Sequence, residues 1–511
     1  LVGAFREFKS IWDPDWRMNP GKVVTPYRLD ENLRLGADYD PWEPKTHFQY
    51  PEDRNSFARA ALRCVGVGKC RREGGGVMCP SYMVTREEKH ATRGRAHLLW
   101  EMLNRDVIDK GWRDERVKEA LDLCLACKGC KKDCPVDVDM ATYKAEFLSH
   151  YYKGRLRPMT AYSMGLIYWW SRIASHMPDL VNFTLTAPGI SSLVKRLGGI
   201  AGEREMPLYA NEPFRKRFGD REPNGVGGEE IILWPDTFNN HFHPETAEAA
   251  VEVLEASGFR VTIPERILCC GRPLYDYGFL GTAKRLLREI LDELRPQIRA
   301  GIPVVGLEPS CVSVFRDELT NLFPHDIDAK RLSDQTYTLS EFLRERDVEI
   351  PEMERRAIVQ GHCHDKSVLD FRAEEKLLRK MGLELESPDS GCCGMAGSFG
   401  FESEKYDVSV ACGERVILPE VRSAPKETLI VADGFSCREQ IRQDTDRTPV
   451  HTAQVIRMAM GGAVASDGGY PERALVEERS VRMERVVPIV VAGAAVAGLA
   501  AGLVLRRLFG R

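Results

Sequence analysis

The chain has 511 residues, 43% of them hydrophobic, and its 72 basic and 76 acidic side chains leave a net charge of −4. A length beyond what one core supports predicts two or three domains. The apolar content excludes wholesale disorder, and the balanced charge gives no field to draw nucleic acid, so no such partner is expected.

Residues 1–50, rich in Pro, Asp and Trp, show little periodicity and read as an extended arm. Thr85-x-x-Glu88 is a capping-box pattern that predicts a helix through "EEKHATRGRAHLLWEML", and a second helix runs through "DERVKEALDLC". Residues 141–200 are aromatic and largely helical, suited to bridging a core or to lying against a membrane or partner. From residue 230 the texture turns α/β. "EEIILW", "RVTIP" and "IPVVGLEPSC" read as strands, with helices "PETAEAAVEVLEASGF" and "GTAKRLLREILDELRPQIRAG" between them. The order recurs as strand "RAIVQGHC", helix "RAEEKLLRKMG", loop "SGCCGMAG" and strand "ETLIVADGFSC". Two units of about 100 residues, each with a Cys-Cys-Gly, therefore repeat. Their alternation favours parallel sheets, with cysteines collected at the carboxyl ends of the strands, where such folds bind ligands. Near the end, "VVPIVVAGAAVAGLAAGLVL" (Val486 to Leu505) carries no charge and is long enough to span a hydrocarbon core. It is expected to be a C-terminal transmembrane helix anchoring the protein at the cytoplasmic face of the cell membrane; a buried hairpin or an interfacial helix is the alternative.

Fifteen cysteines fall in two groups, seven from Cys64 to Cys134 and eight from Cys269 to Cys437. No secretory signal opens the sequence, so metal binding or redox work explains them better than a disulfide framework. "CLACKGCKKDCP" places Cys124, Cys127, Cys130 and Cys134 in C-x2-C-x2-C-x3-C-P. This spacing wraps three thiolates round one [4Fe-4S] cubane and directs the fourth to a second cluster; zinc sites space their pairs further apart. The other group, "CVGVGKCRREGGGVMCP", holds Cys64, Cys70 and Cys79. If Cys134 crosses to it, Cys79 is the donor in return. One cluster would then have Cys124, Cys127, Cys130 and Cys79. The other would have Cys64, Cys70 and Cys134, one thiolate short at Val67. "RREGGGVM" replaces the usual three residues before Cys79, and such an insertion could re-aim Cys79 or supply a ligand. A [3Fe-4S] cluster, a four-iron cluster with a non-cysteine ligand and a degenerate site are all open.

In the second half, Cys363, Cys392, Cys393 and Cys437 offer four thiolates for a third cluster, whereas Cys269 and Cys270 are joined only by Cys311. His362 and His364 flank Cys363 as candidate hydrogen-bond donors or proton carriers. Cys412 reads as core filling.

In combination these motifs resemble the iron–sulfur subunits of glycolate oxidase, D-lactate dehydrogenase and anaerobic glycerol-3-phosphate dehydrogenase types, with Cys-Cys-Gly domains as in heterodisulfide reductase. The resemblance implies an α+β multidomain fold. A helical ferredoxin-like 2[4Fe-4S] domain occupies 51–150, followed by a helical linker region at 151–229. A duplicated α/β Cys-Cys-Gly domain follows at 230–340 and 341–460, then a linker at 461–485 and the membrane helix at 486–505. "FREFKSIWDPDWRMNPGKVV", Phe5 to Val24, is similar to the closing segment of FAD-linked oxidases acting on 2-hydroxy acids. It implies that 1–50 is the remnant of such a domain and that FAD sits on an upstream domain or a separate partner; no Gly-rich nucleotide loop occurs in these residues. The implied function is the electron-transfer part of a D-2-hydroxyacid dehydrogenase of D-lactate or glycolate type, passing electrons from flavin to a membrane quinone or other acceptor. The sequence by itself names no catalytic residue. Neither Cys-Cys-Gly unit has the five-cysteine pattern of heterodisulfide reductase, which makes a thiol/disulfide reductase the alternative; a zinc-stabilised membrane scaffold is the non-enzymatic one.

Overall fold

Two parallel sheets carry the second half of the chain. In the first, β1 (Glu230–Trp234) lies between β2 (Arg260–Thr262) and β3 (Val304–Gly306), with β4 (Thr336–Thr338) outside β3. In the second, β5 (Arg355–Val359) lies between β6 (Leu383–Glu386) and β7 (Leu429–Val431). Ile231 pairs with Val261 and Leu233 with Val305, while Ile358 pairs with both Glu386 and Ile430. Central parallel strands are covered on both faces, which is why β1 from Ile231 to Trp234 and β5 from Ala357 to Val359 are apolar and buried. The computed structural model describes residues 1–479 apart from 30, 32–34, 36–38, 222–226, 462–468 and 478.

Burial crosses the sequence segments. Ile231, Leu233 and Val305 of the first sheet share one core with Ala357, Val359 and Leu429 of the second. Phe48, Phe57, Leu99 and Phe147 of the helical half share another with Leu287, Ile290 and Phe315 of the first α/β unit. The arm is tied down where it meets that core. Buried Glu146 accepts the backbone N–H groups of His47 and Phe48 at 2.9–3.1 Å, and Asn321 Oδ1 accepts those of Gln49 and Tyr50. The arm begins as a helix, Val2–Trp12, that buries none of its residues.

Several expectations are corrected. The helix drawn from Thr85 starts instead at Thr92 and runs to Asn104. Pro80 opens an earlier helix, Pro80–Thr85, in which proline supplies a preorganised first position and Thr85 becomes the last residue. Thr85 Oγ1 donates to the Ser81 carbonyl rather than capping. The long helix after residue 280 divides into Leu280–Glu293 and Arg295–Ala300, because Pro296 lacks an N–H and suits the start of a second helix. β4 and β6 are strands the sequence reading lacks.

The C-terminal membrane anchor, and with it the placement at the cytoplasmic face of the cell membrane, is also corrected. No helix among the described residues is long and apolar enough to cross a membrane. The run 486–505 lies outside the described residues, and its Ala- and Gly-rich composition carries only modest hydrophobicity. The anchor is withdrawn.

Candidate metal centres

The two cysteine loops share a backbone. In "CLACKGC", Ala126 and Lys128 adopt φ of 51° and 56°; in "CVGVGKC", Gly66 and Gly68 both adopt 81°. Left-handed residues at the second and fourth positions after the first cysteine curl each loop, so that Val67 stands where Cys127 stands. Cys127 is buried, but Val67 is 60% exposed. The curl is strained for side-chain-bearing residues, and Lys128 is held in it by a buried ion network. Its ammonium, fully enclosed, contacts Asp139 at 3.3 Å, Asp317 at 2.5 Å and Glu318 at 3.1 Å. Burial works against its charge, yet those carboxylates keep it above the usual lysine range.

Cys79 and Cys134 both precede proline but differ in backbone. Cys79, at φ 56°, begins helix Pro80–Thr85, whereas Cys134, at φ −80°, ends helix Gly129–Asp133. Cys79 stands between the groups. Its thiol hydrogen-bonds to Cys70, whose thiol that bond draws down to about 6, and it is within electrostatic range of Cys130. Backbone N–H groups point at these sulfurs: Thr92 to Cys79 at 3.1 Å, Arg93 to Cys70 at 3.3 Å and Met140 to Cys130 at 3.4 Å.

The second α/β unit brings four thiols together from three loops. Hydrogen bonds run from Cys363 to Cys392, Cys393 and Cys437 in series. Cys392 holds the Cys363 thiol down at about 7, and Cys392 and Cys437 together hold Cys393 well below its usual range. Gly394 follows the doublet at φ +95°, and a Cβ there would lie 2.0 Å from the Ser409 carbonyl oxygen. The glycine is required on both counts.

The first unit repeats the layout with one change. Cys270 and Cys311 are 2.8 Å apart, and Cys269 hydrogen-bonds to Cys270. Cys311 and Cys437 each occupy the third position of a helix following β3 or β7. Cys363 opens the helix after β5, and the residue opening the helix after β1 is Thr237, whose hydroxyl donates to Cys269 Sγ at 3.7 Å. All three thiols here are pushed up. Cys311 stands at about 12: the Cys270 hydrogen bond lowers it, but burial and the charges of Asp236, Cys269 and Glu308 outweigh that bond.

The halves of the protein meet at these loops. Cys127 packs with Cys363 and Cys392 in one buried cluster together with Val77, Leu125 and Phe399. His364 Nε2 lies 3.1 Å from the Ala126 carbonyl. The insertion "RREGGGVM" binds the second unit on both sides of its doublet, with Gly76 N–H donating to Asp389 Oδ1 at 2.8 Å before it and Arg415, at the end of helix Tyr406–Glu414, reaching the Glu73 carbonyl at 3.4 Å after it. Its visible work is to dock one half on the other. Thr237, Asp389 and Lys128 are the residues that sequence reasoning missed; for Thr237 the usable signal was its place after a strand in the repeat. A separate group, His47, Glu146 and His150, has ligand-type atoms within 4.8 Å of one another, but both Glu146 oxygens are engaged by backbone N–H groups and serve to anchor the arm.

This donor set fits iron–sulfur clusters. All fifteen cysteines are unbridged, fourteen are buried, and the first residues of two helices aim N–H groups at sulfur, which suits thiolate-held clusters.

Comparison with known proteins agrees. A 4Fe-4S dicluster domain model matches residues 60–138, and a cysteine-rich domain model matches 237–316 and 370–442. D-2-hydroxyglutarate dehydrogenase of Pseudomonas putida is 28% identical over 89% of this chain and 49% of its own length, so the chain spans about half the length of that relative. A subunit of the anaerobic glycerol-3-phosphate dehydrogenase of Escherichia coli is 26% identical over 56% of this chain and 74% of its own length. Lactate utilization protein A of Bacillus velezensis is 32% identical over 44% of this chain and 98% of that protein.

Proposed function

The chain belongs to the family of iron–sulfur domains of FAD-linked dehydrogenases, and from that premise we propose that it is the electron-transfer part of an FAD-dependent D-2-hydroxyacid dehydrogenase. The flavin-bearing part, fused or separate, would take a hydride from the hydroxy acid. Similarity to D-2-hydroxyglutarate dehydrogenases favours that acid as substrate, beside D-lactate or glycolate. Electrons would leave for a quinone or another acceptor.

Clusters, when bound, supply one-electron steps in exchange with the flavin. Cys124, Cys127, Cys130 and Cys79 would hold one, and Cys64, Cys70 and Cys134 another, its fourth corner at Val67 facing solvent. Cys363, Cys392, Cys393 and Cys437 would hold the third. Cys269, Cys270 and Cys311 form a three-thiol set completed by the Thr237 hydroxyl. The N–H groups of Thr92, Arg93 and Met140 donate to sulfur, which favours the more negative, reduced state. The supporting observation is the shared burial of Cys127 with Cys363 and Cys392, which makes the two thiol groups neighbours along one path.

Iron and acid-labile sulfide in anaerobically purified protein, followed by EPR, test this reading. Clusters reduced on adding a D-2-hydroxy acid with the flavin part support it; zinc without sulfide sinks it.

A further inference from the structure

A cavity of about 440 Å³ lies between the helices at 159–198 and the carboxyl ends of both sheets, a size suited to one small molecule. Met159, Trp170 and Leu197 line it and are exposed, so they form its mouth. Its floor is buried and includes Cys363 and Phe435. The walls are apolar and aromatic, with Phe238 stacked on Phe435 at 4.4 Å.

Charged groups at its edge already have partners. Arg272 is bound to Glu318 and Asp276, each at 3.0 Å. Glu308 accepts the Phe435 N–H and the Ser310 hydroxyl, each at 2.8 Å. A charged ligand would be desolvated there without a counter-ion. His362 offers a polar contact instead. Its Nδ1 accepts the His364 N–H at 3.2 Å, which leaves the ring proton on Nε2, a donor with no hydrogen-bond partner among the described residues.

We propose that this cavity is the acceptor site and that it binds a quinone. The flat neutral ring lies against Phe435, with one carbonyl on His362 Nε2–H beside Cys363, and an apolar tail leaves between Trp170 and Leu197. The inference rests on the electron-transfer reading and names its terminal site. The quinone takes up two electrons from the thiolate-held clusters and two protons from water, and both carbonyls become hydroxyls. The electrons would be supplied by the flavin part or, in the assay, by dithionite.

The test uses anaerobically purified, cluster-loaded protein with decylubiquinone as the probe. Binding is read as saturable quenching of tryptophan fluorescence, and turnover as reoxidation of dithionite-reduced protein by decylubiquinone or by ferricyanide, which needs no cavity. Val181→Trp and Leu185→Trp narrow the wall from one helix. Each is expected to weaken quinone binding about tenfold and to lower the ratio of quinone to ferricyanide reoxidation rates by a similar factor. Absence of saturable binding, or binding unchanged in both variants, overturns the inference. So does wild-type protein reoxidised by ferricyanide and not by quinone, an outcome that leaves the electron-transfer reading standing. Protein that dithionite does not reduce defeats both.

Discussion

The two α/β units have matching strand orders about β1 and β5 and place their doublets and third cysteines alike, yet they differ in one ligand position and in the direction in which two thiols of the second unit are shifted. In the second unit Cys363 completes a set of four, and two of its thiols are drawn down by their neighbours. In the first, Thr237 stands in that place and every thiol is pushed up. The cysteine loops repeat the pattern, with Cys127 buried in one and Val67 exposed in the other on the same curl. Backbone geometry thus survives the loss of a ligand.

The sharpest way to break the comparison is to exchange the differing residues. Cys363→Thr should make the second unit resemble the first and remove about four iron atoms per chain, while Thr237→Cys should raise iron content; both are read by metal and sulfide analysis. Next in size is Lys128→Met. Removing the enclosed ammonium leaves Asp317 with Lys131 and Glu318 with Arg272 as their remaining cations, and should cost about 3 kcal/mol. At the equivalent place in the other loop, Gly68→Ala should cost only about 1 kcal/mol, the left-handed penalty. Thermal unfolding of the two variants checks the contrast.

A smaller effect separates the units by pH. On the helix that Thr237 opens, burial pushes His241 down to about 4, with Arg172 and Arg215 adding to it. Its Nε2 faces the Asn240 side-chain amide at 3.0 Å, an amide whose oxygen is held by Arg215 N–H. The unfolded chain binds a proton near pH 6.5 that the folded chain refuses until about pH 4. The stabilisation is therefore complete above 6.5 and is lost as pH falls towards 4, by about 2–3 kcal/mol. Unfolding measured across that window should show the slope in the parent and not in His241→Gln. The smallest change is spectroscopic. Val67→Cys supplies the thiolate missing from its loop, and a three-iron EPR signal in oxidised protein should disappear. Persistence of that signal would show that the corner at Val67 is not the open one.

Much of the second half was readable because each element is local. "EEIILW" and "RAIVQGHC" carry apolar runs flanked by turns, and "PETAEAAVEVLEASGF" between them is one helix from Pro244 to Ala256. β6 alternates buried Leu383 and Leu385 with exposed Glu384 and Glu386, a period that was present in the sequence but short. The helix expected from Thr85 failed because two start signals competed, and the Cys-Pro signal came first along the chain. The bond between Gly76 and Asp389 could not be read at all, since no periodicity links residues so far apart.

Residue spacing alone determined that "CLACKGCKKDCP" is a contiguous thiolate loop and that two strand–helix units each carry a doublet, because both are set by neighbours along the chain. Tertiary structure alone decided that Cys127 lies against Cys363 and Cys392, that "RREGGGVM" docks one half on the other, that Lys128 is caged by Asp317 and Glu318, and that an apolar cavity ends at Cys363. Those contacts form only when two cores that cross the segment boundaries close, and burial of that kind has no one-dimensional signature.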